Sequence, residues 1–413
     1  MTQTDPAASR GVSDSEQELL EEARHFNHHQ EPSVEHAYKL YDAMLSRCPV
    51  NHSDAFGGFY ILNKYSDVRA AAKDWETFSS AQGVFMPRLD EKFPMIESDP
   101  PDHTWFRSML KDEFSVAGVR RFEEPLQRSC VQLVEAFVER GECDIVAELC
   151  EPLPVMAICH VVGIEDEFVP TVRPIAINLF AAMKDPSLFM GAFGEFAAFA
   201  TDQIEMRRAR PQDDLLTRLA TQEFDGRRLP DDKLIMTLIG TLIAGHHTTS
   251  SAMSSVFRHI ASDAVVRDRL RTDPRLVRTA TEETIRLDSP GHFFFRETTT
   301  DVQVGDVTIP ATCPVALNWA GANIDPDVFD NPLEFRLDRT PNPHFGFGHG
   351  LHTCVGAPLS RSEIRLAVEY VLERLPDIEL AVPADSLTYR FVGGNLAVLE
   401  ELPVRFTPSE RRL

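Results

Sequence analysis

Cysteine is sparse and unpatterned. Seven occur in 413 residues (48, 130, 143, 150, 159, 313 and 354), an odd number with no C-x-x-C. That excludes a disulfide framework and a zinc site, and it points to a reducing, cytoplasmic compartment. Long apolar runs are also missing. The longest, Leu234 to Gly245, is 12 residues and contains Thr and Gly, short of the about 20 needed to cross a bilayer. The first 26 residues are rich in acids and have no apolar core, so they read as neither signal peptide nor membrane anchor. Basic residues are scarce: 41 Lys and Arg against 64 Asp and Glu leave a net charge of −23. Nucleic acid, which needs clustered cations, is excluded as partner. There is no G-x-G-x-x-G after a strand and no four-cysteine set, hence no flavin or iron–sulfur centre of the chain's own.

What is present is the composition of a soluble globular protein, 43% apolar and 25% charged. The length fits two to three domains or one large one, and suffices to bury about three quarters of the surface. Residues 1–35 read as a polar N-terminal tail, and one compact unit spans 36–413. Helical periodicity is expected over 66–75, 104–114, 122–139, 166–183, 190–209, 231–261, 274–287 and 355–374. Short strands are expected at 59–62, 293–299, 302–304, 307–309 and 315–317, with a closing hairpin around Gly393-Gly394-Asn395. Residues 321–349 are rich in Pro, Asp and Asn, an irregular stretch long enough to demand a functional reason. The fold class is mainly α with small β-sheet regions.

The strongest chemical signal is Phe345-Gly346-Phe347-Gly348-His349-Gly350-Leu351-His352-Thr353-Cys354-Val355-Gly356. One Cys closes a Gly-rich loop just before a helix. Glycines let backbone N–H groups approach the sulfur, and with the positive helix end they stabilise a thiolate. A thiolate with an open face suits the axial position of a haem iron, where its electron donation favours O–O cleavage. Phe347 offers a ring beside it, and Gly356 leaves room for a flat macrocycle. The bland alternative is a buried structural Cys. Several independent positions match F-x-x-G-x-x-x-C-x-G, however, and here the chain resembles the cytochrome P-450 superfamily, over about His36 to Pro408.

Other segments carry the same resemblance. Glu283 and Arg286 lie at i, i+3 on one helix face. The resemblance makes them a buried structural pair completed by Arg339. Ala244 and Gly245 form a small-residue pair that lets a helix run close over the haem face, and Thr248 follows one turn on, with a hydroxyl suited to proton delivery. Where the family usually has Asp or Glu before this Thr, the chain has His247. His247 reads either as a proton relay, titrating near pH 6.5, or as a hydrogen-bonded core residue. His103 and Arg107 are i, i+4 at a helix start. With Arg296 and His352 they match the donors to the haem propionates. Asn323-Ile324-Asp325-Pro326 matches a further family segment, with Ile324 where Arg is usual.

The resemblance thus implies a single-domain haem-thiolate monooxygenase with haem b held by Cys354, O2 as co-substrate and a small, mostly apolar organic substrate. The pocket would draw on Val84, Phe85, Met86, residues 180–189, Ile243, Ala244, His292, Phe293, Phe294 and Leu396, with Arg88 and His292 as polar selectors. Electrons would come from a ferredoxin and ferredoxin reductase, docked on a basic patch of Arg107, Lys111, Arg120, Arg121, Arg361 and Arg365. A monomer without membrane contact is expected. Two alternatives stay open at this level: a peroxide-driven peroxygenase, and a non-catalytic haem-thiolate binding or sensing protein.

Overall fold

The computed structural model describes residues 14–30, 33–89, 91–181 and 186–412. Its centre is a 32-residue helix, Asp231–Ser262, about 48 Å long at 1.5 Å per residue. Pro230 precedes it, Asp231 and Asp232 occupy its first turn, where negative charge complements the helix dipole, and no proline interrupts it. Most of its circumference is buried. The reason is packing on every side: Pro152–Val162, Leu276–Leu287 and Ala357–Arg374 all lie against it. Pro152–Val162 was not anticipated. Ten of its eleven residues are buried, so it lacks the apolar/polar periodicity by which a helix is recognised.

The principal sheet has five strands: β1 (Val50–Ser53), β2 (Phe59–Leu62), β3 (Phe78–Ser79), β4 (Phe293–Thr298) and β5 (Pro314–Asn318), in the order β1-β2-β5-β4-β3. β5 runs parallel to β2 and antiparallel to β4, pairing Val315 with both Tyr60 and Arg296. Alternation along β4 matters most for function. Phe293 and Phe295 pack with Phe26, Phe59 and Ile61 on one face, so Phe294 and Arg296 point to the other. The expected closing hairpin is present as Tyr389–Val392 paired with Leu396–Leu399.

Part of the expected polar tail is structured. Asp14–Ala23 is helical and packs on Val34–Arg47, with Ala23 and Phe26 buried in the cluster beneath the sheet. The irregular stretch 321–349 owes its order to buried charge. The Glu283 carboxylate receives Arg286 Nε at 2.8 Å and Nη2 at 2.9 Å, and Arg339 Nε at 2.9 Å. Arg286 also donates to the carbonyls of Asn323, Pro332 and Glu334, and Arg339 to those of Asp330 and Asn331. The two guanidiniums thereby satisfy a loop whose carbonyls find no ladder partner. Asn323 extends the net, donating to Ser289 Oγ and accepting the Phe345 N–H at 2.7 Å. No helix among the described residues is long and apolar enough to cross a membrane.

Candidate functional site

A cavity of about 270 Å³ lies between the long helix, β4 and the 345–356 loop. The loop is shaped by close approach. A Cβ on Gly350 (φ +71°) would stand 2.1 Å from the Ala72 carbonyl oxygen, so only glycine fits. The Cys354 N–H donates to Phe347 O at 2.8 Å, turning the sulfur inward. Cys354 presents open surface, but into the cavity, since protein surrounds the sulfur. Burial pushes its thiol pKa up. Backbone donors at Gly356 and Ala357 and the charges of Arg107 and Arg361 work against that rise. The Arg361 guanidinium lies 4.2 Å from the Phe347 ring centre and grips Glu282 at 2.6 and 2.8 Å.

Facing this sulfur's cavity, Gly240, Thr241, Ala244, Gly245, Thr248 and Thr249 recur at helical spacing. Ala244 carries open surface although its chain neighbour Ile243 is buried, which marks the cavity side. Thr248 Oγ1 donates to Ala244 O at 2.8 Å. Its proton is thereby committed, and its lone pairs are left for a donor in the cavity. Gly245 serves packing more than clearance over the cavity. A Cβ there would stand 2.4 Å from Ile158 Cδ1.

At one edge four basic side chains converge. His103, Arg107, Arg296 and His352 all line the cavity, and the rings of His103 and His352 meet at 4.5 Å between centres. Both ring nitrogens of His103 and Nε2 of His352 are buried without a hydrogen-bond partner. Burial first, then the neighbouring cations, push His352 down to about 2 and His103 to about 4. Burial lowers Arg296 to about 10. Orphaned buried donors are costly. A set of four beside a cysteine sulfur suits a group with carboxylates on one edge and a flat apolar body, which is the chemistry of haem.

The structure brings Phe85, Ile243, Phe294, Phe347, Gly356 and Leu396 to the same cavity. Others of the expected set lie elsewhere. His292 and Phe293 do not line it: His292 Nδ1 meets Tyr41 Oη at 3.0 Å, and the pleat turns Phe293 to the far side of the sheet. Met86 packs against that same far cluster. His247 is turned away from the wall. Its ring lies 3.9 Å from that of His246 between centres and hydrogen-bonds to the Ala176 backbone, while burial depresses its pKa to about 2. Thr248 and Thr249 line the cavity and His247 does not, so on this turn the wall begins at Thr248. Arg88 pairs with Glu297. The side chains of 180–189 lie outside the described residues. The sequence reading missed Phe93, Ile96 and Glu363, which line the cavity. Glu363 had a signal: with Ser360, Ile364 and Ala367 it falls on the buried stripe of its helix.

The family model described as Cytochrome P450 matches residues 166–376. A steroid C26-monooxygenase of Mycobacterium tuberculosis is 34% identical over 361 residues, 85% of this chain and 96% of that protein. Cytochrome P450 107B1 of Saccharopolyspora erythraea is 33% identical over 86% of this chain and 90% of its own. Among solved structures, CYP109E1 from Bacillus megaterium in complex with testosterone superposes with a TM-score of 0.81 at 26% identity, covering 90% of this chain and 99% of its own.

Proposed function

This chain belongs to the cytochrome P450 family of haem-dependent, O2-using monooxygenases, and from that premise we propose that it hydroxylates an apolar, steroid- or terpenoid-sized substrate with electrons from a ferredoxin. The observation that carries the reading is the single cavity in which the Cys354 sulfur, the orphaned donors His103 and His352, and Thr248 on the long helix meet. Cys354 would hold the iron of haem b through its sulfur, and His103, Arg107, Arg296 and His352 would hold its propionates. When bound, that haem supplies activation of dioxygen.

The chain's own residues do the rest. The N–H groups of Gly356 and Ala357 and the charge of Arg107 favour the thiolate form of Cys354. Thr248, its proton tied to Ala244 O, accepts a hydrogen bond from a donor in the cavity. Phe85, Phe93, Ile96, Phe294 and Leu396 supply an apolar wall that excludes water and positions substrate by shape. That wall, together with the names of the steroid-oxidising relative and the testosterone-bound neighbour, supports a polycyclic substrate. The missing flavin and iron–sulfur motifs support a separate electron donor. Of the expected docking cations, Arg121, Arg361 and Arg365 pair with Glu113, Glu282 and Glu123, while Lys111 and Arg120 are exposed and carry no ion pair among the described residues, leaving them for a ferredoxin. Seven unpaired cysteines support a reducing cytoplasm.

The test is turnover of a steroid panel under ¹⁸O2 with a surrogate ferredoxin and reductase. One labelled oxygen in a hydroxylated product is expected. Turnover of small aromatics with no steroid product would overturn the substrate class.

A further inference from the structure

A second, smaller cavity of about 30 Å³ lies behind the first. Four helices enclose it: Pro152–Val162, Val169–Ala181, Pro186–Ala209 and the long Asp231–Ser262. Cys159, Val162, Val172, Phe196, Ala200 and Leu242 wall it, and all six are buried. No charged side chain lines it among the described residues. Gln203 contributes an amide, but it is buried and its Oε1 is sealed off. An ordered water needs about two to four polar partners, which this wall does not offer. A cavity of this kind stays dry and takes a small apolar guest.

Its position ties it to the larger cavity. Ile158 lines both spaces, so one side chain partitions them. The Ile158 Cδ1 occupies the niche left by the missing side chain of Gly245, where a Cβ would stand 2.4 Å from it, and Gly245 itself lines the larger cavity. On the same helix Leu242 serves the smaller space, while Ile243 and Ala244 serve the larger. Ile164 and Phe199, also in the small cavity's wall, are only half-buried. The smaller space thus lies between the protein surface and the cysteine site. Its volume excludes an organic substrate and admits a diatomic gas.

We propose that the smaller cavity is a docking site for dioxygen, with the Ile158 side chain as the gate through which the gas passes to the larger cavity. The proposal rests on the monooxygenase reading, in which O2 is the one small apolar reagent consumed. Docking is noncovalent: no bond forms or breaks, and no electron moves. A change of Ile158 rotamer withdraws Cδ1 from the Gly245 niche and joins the two spaces; core side chains make such hops without loss of packing on average. The route gives the gas an entry that a bulky substrate filling the larger cavity does not block.

The test uses full-length holoprotein and the variants Ala200→Leu, which fills the smaller cavity, and Ile158→Val, which removes the Cδ1 methyl from the gate. Melting temperature and the carbon monoxide spectrum check that both fold and carry haem. The first readout needs no turnover. Crystals of the wild type under xenon pressure should show a xenon atom among Ile158, Ala200 and Leu242, and Ala200→Leu should lose it. The second is the association rate of O2 with the reduced protein in stopped flow. Ala200→Leu should slow it about tenfold, within the one to three decades over which association rates vary among variants of one site, and Ile158→Val should raise it. A wild type without xenon in the smaller cavity, or an Ala200→Leu protein with the wild-type O2 rate, overturns the proposal. Should Ala200→Leu fail to fold, an unchanged O2 rate in Ile158→Val overturns it equally. Absence of the thiolate carbon monoxide spectrum in the wild type would instead sink the monooxygenase reading, while xenon would still report the cavity.

Discussion

Replacing Arg286 by Lys looks conservative and should be severe. Arg286 and Glu283 are wholly buried. The guanidinium serves five acceptors: both Glu283 oxygens and the carbonyls of Asn323, Pro332 and Glu334. An ammonium has three protons and no planar fork. At least two of these five hydrogen bonds must be lost, each worth about 1.5–3 kcal/mol where a charged group takes part, so the substitution should cost roughly 3–6 kcal/mol. That is a large fraction of the roughly 5–15 kcal/mol by which native proteins are stable. The loss falls on the 323–334 segment, whose Asn323 also holds the Phe345 N–H at the entrance of the cysteine loop. Urea unfolding followed by far-UV circular dichroism should show a clearly lower midpoint, and haem content after purification should fall with it. An Arg286→Lys protein with unchanged midpoint and full haem content would refute the reasoning, because it would mean that the carbonyls of the irregular stretch do not depend on this guanidinium.

Glycine positions offer a paired check. Gly245→Ala gains about 1 kcal/mol of helix propensity but forces a methyl against Ile158 at 2.4 Å, an overpacking cost of about 1–3 kcal/mol. The melting temperature should fall, whereas Gly194→Ala, with nothing within 4 Å of the added carbon, should raise it; the reverse order would contradict the packing assigned to Gly245. Glu282 predicts a pH dependence. Burial raises its pKa, but the stronger pull of Arg361 and His344 leaves it near 2, below the ordinary 4.5. A depressed folded-state value contributes stability above about 4.5 that is lost as pH falls toward 2. The melting-temperature gap between wild type and Arg361→Ala should therefore be widest at neutral pH and close in acid; a gap independent of pH would remove the ion pair as its cause.

The features legible in the sequence are those in which a local pattern already carries the geometry. The 345–356 loop declares itself by glycines where a Cβ would strike backbone, as at Gly350. Glu283 and Arg286 are spaced to meet on one helix face, the resemblance supplied Arg339 as their third member, and all three do meet. What escaped was orientation imposed from outside. Phe293 and Phe294 are alike in sequence, and only the partners of β4 decide which faces the cavity. His247 was one helical step from the wall. Pro152–Val162 has no polar face to reveal it, and residues 14–30 read as a polar tail although Ala23 and Phe26 seal the sheet cluster. Glu363 was overlooked because acids on helices usually face water; the crossing of two helices turned this one inward.

The central claim is that the Cys354 sulfur is the thiolate beneath the dioxygen-binding cavity. Cys354→His keeps a metal-binding side chain at the position and removes the sulfur. In the wild type, reduction under carbon monoxide should give the strongly red-shifted Soret band of a thiolate-ligated haem. In the variant that band should be replaced by the one typical of histidine ligation, with monooxygenase activity abolished. A variant that keeps the thiolate band would show that another sulfur holds the iron, and the account of the site would fail.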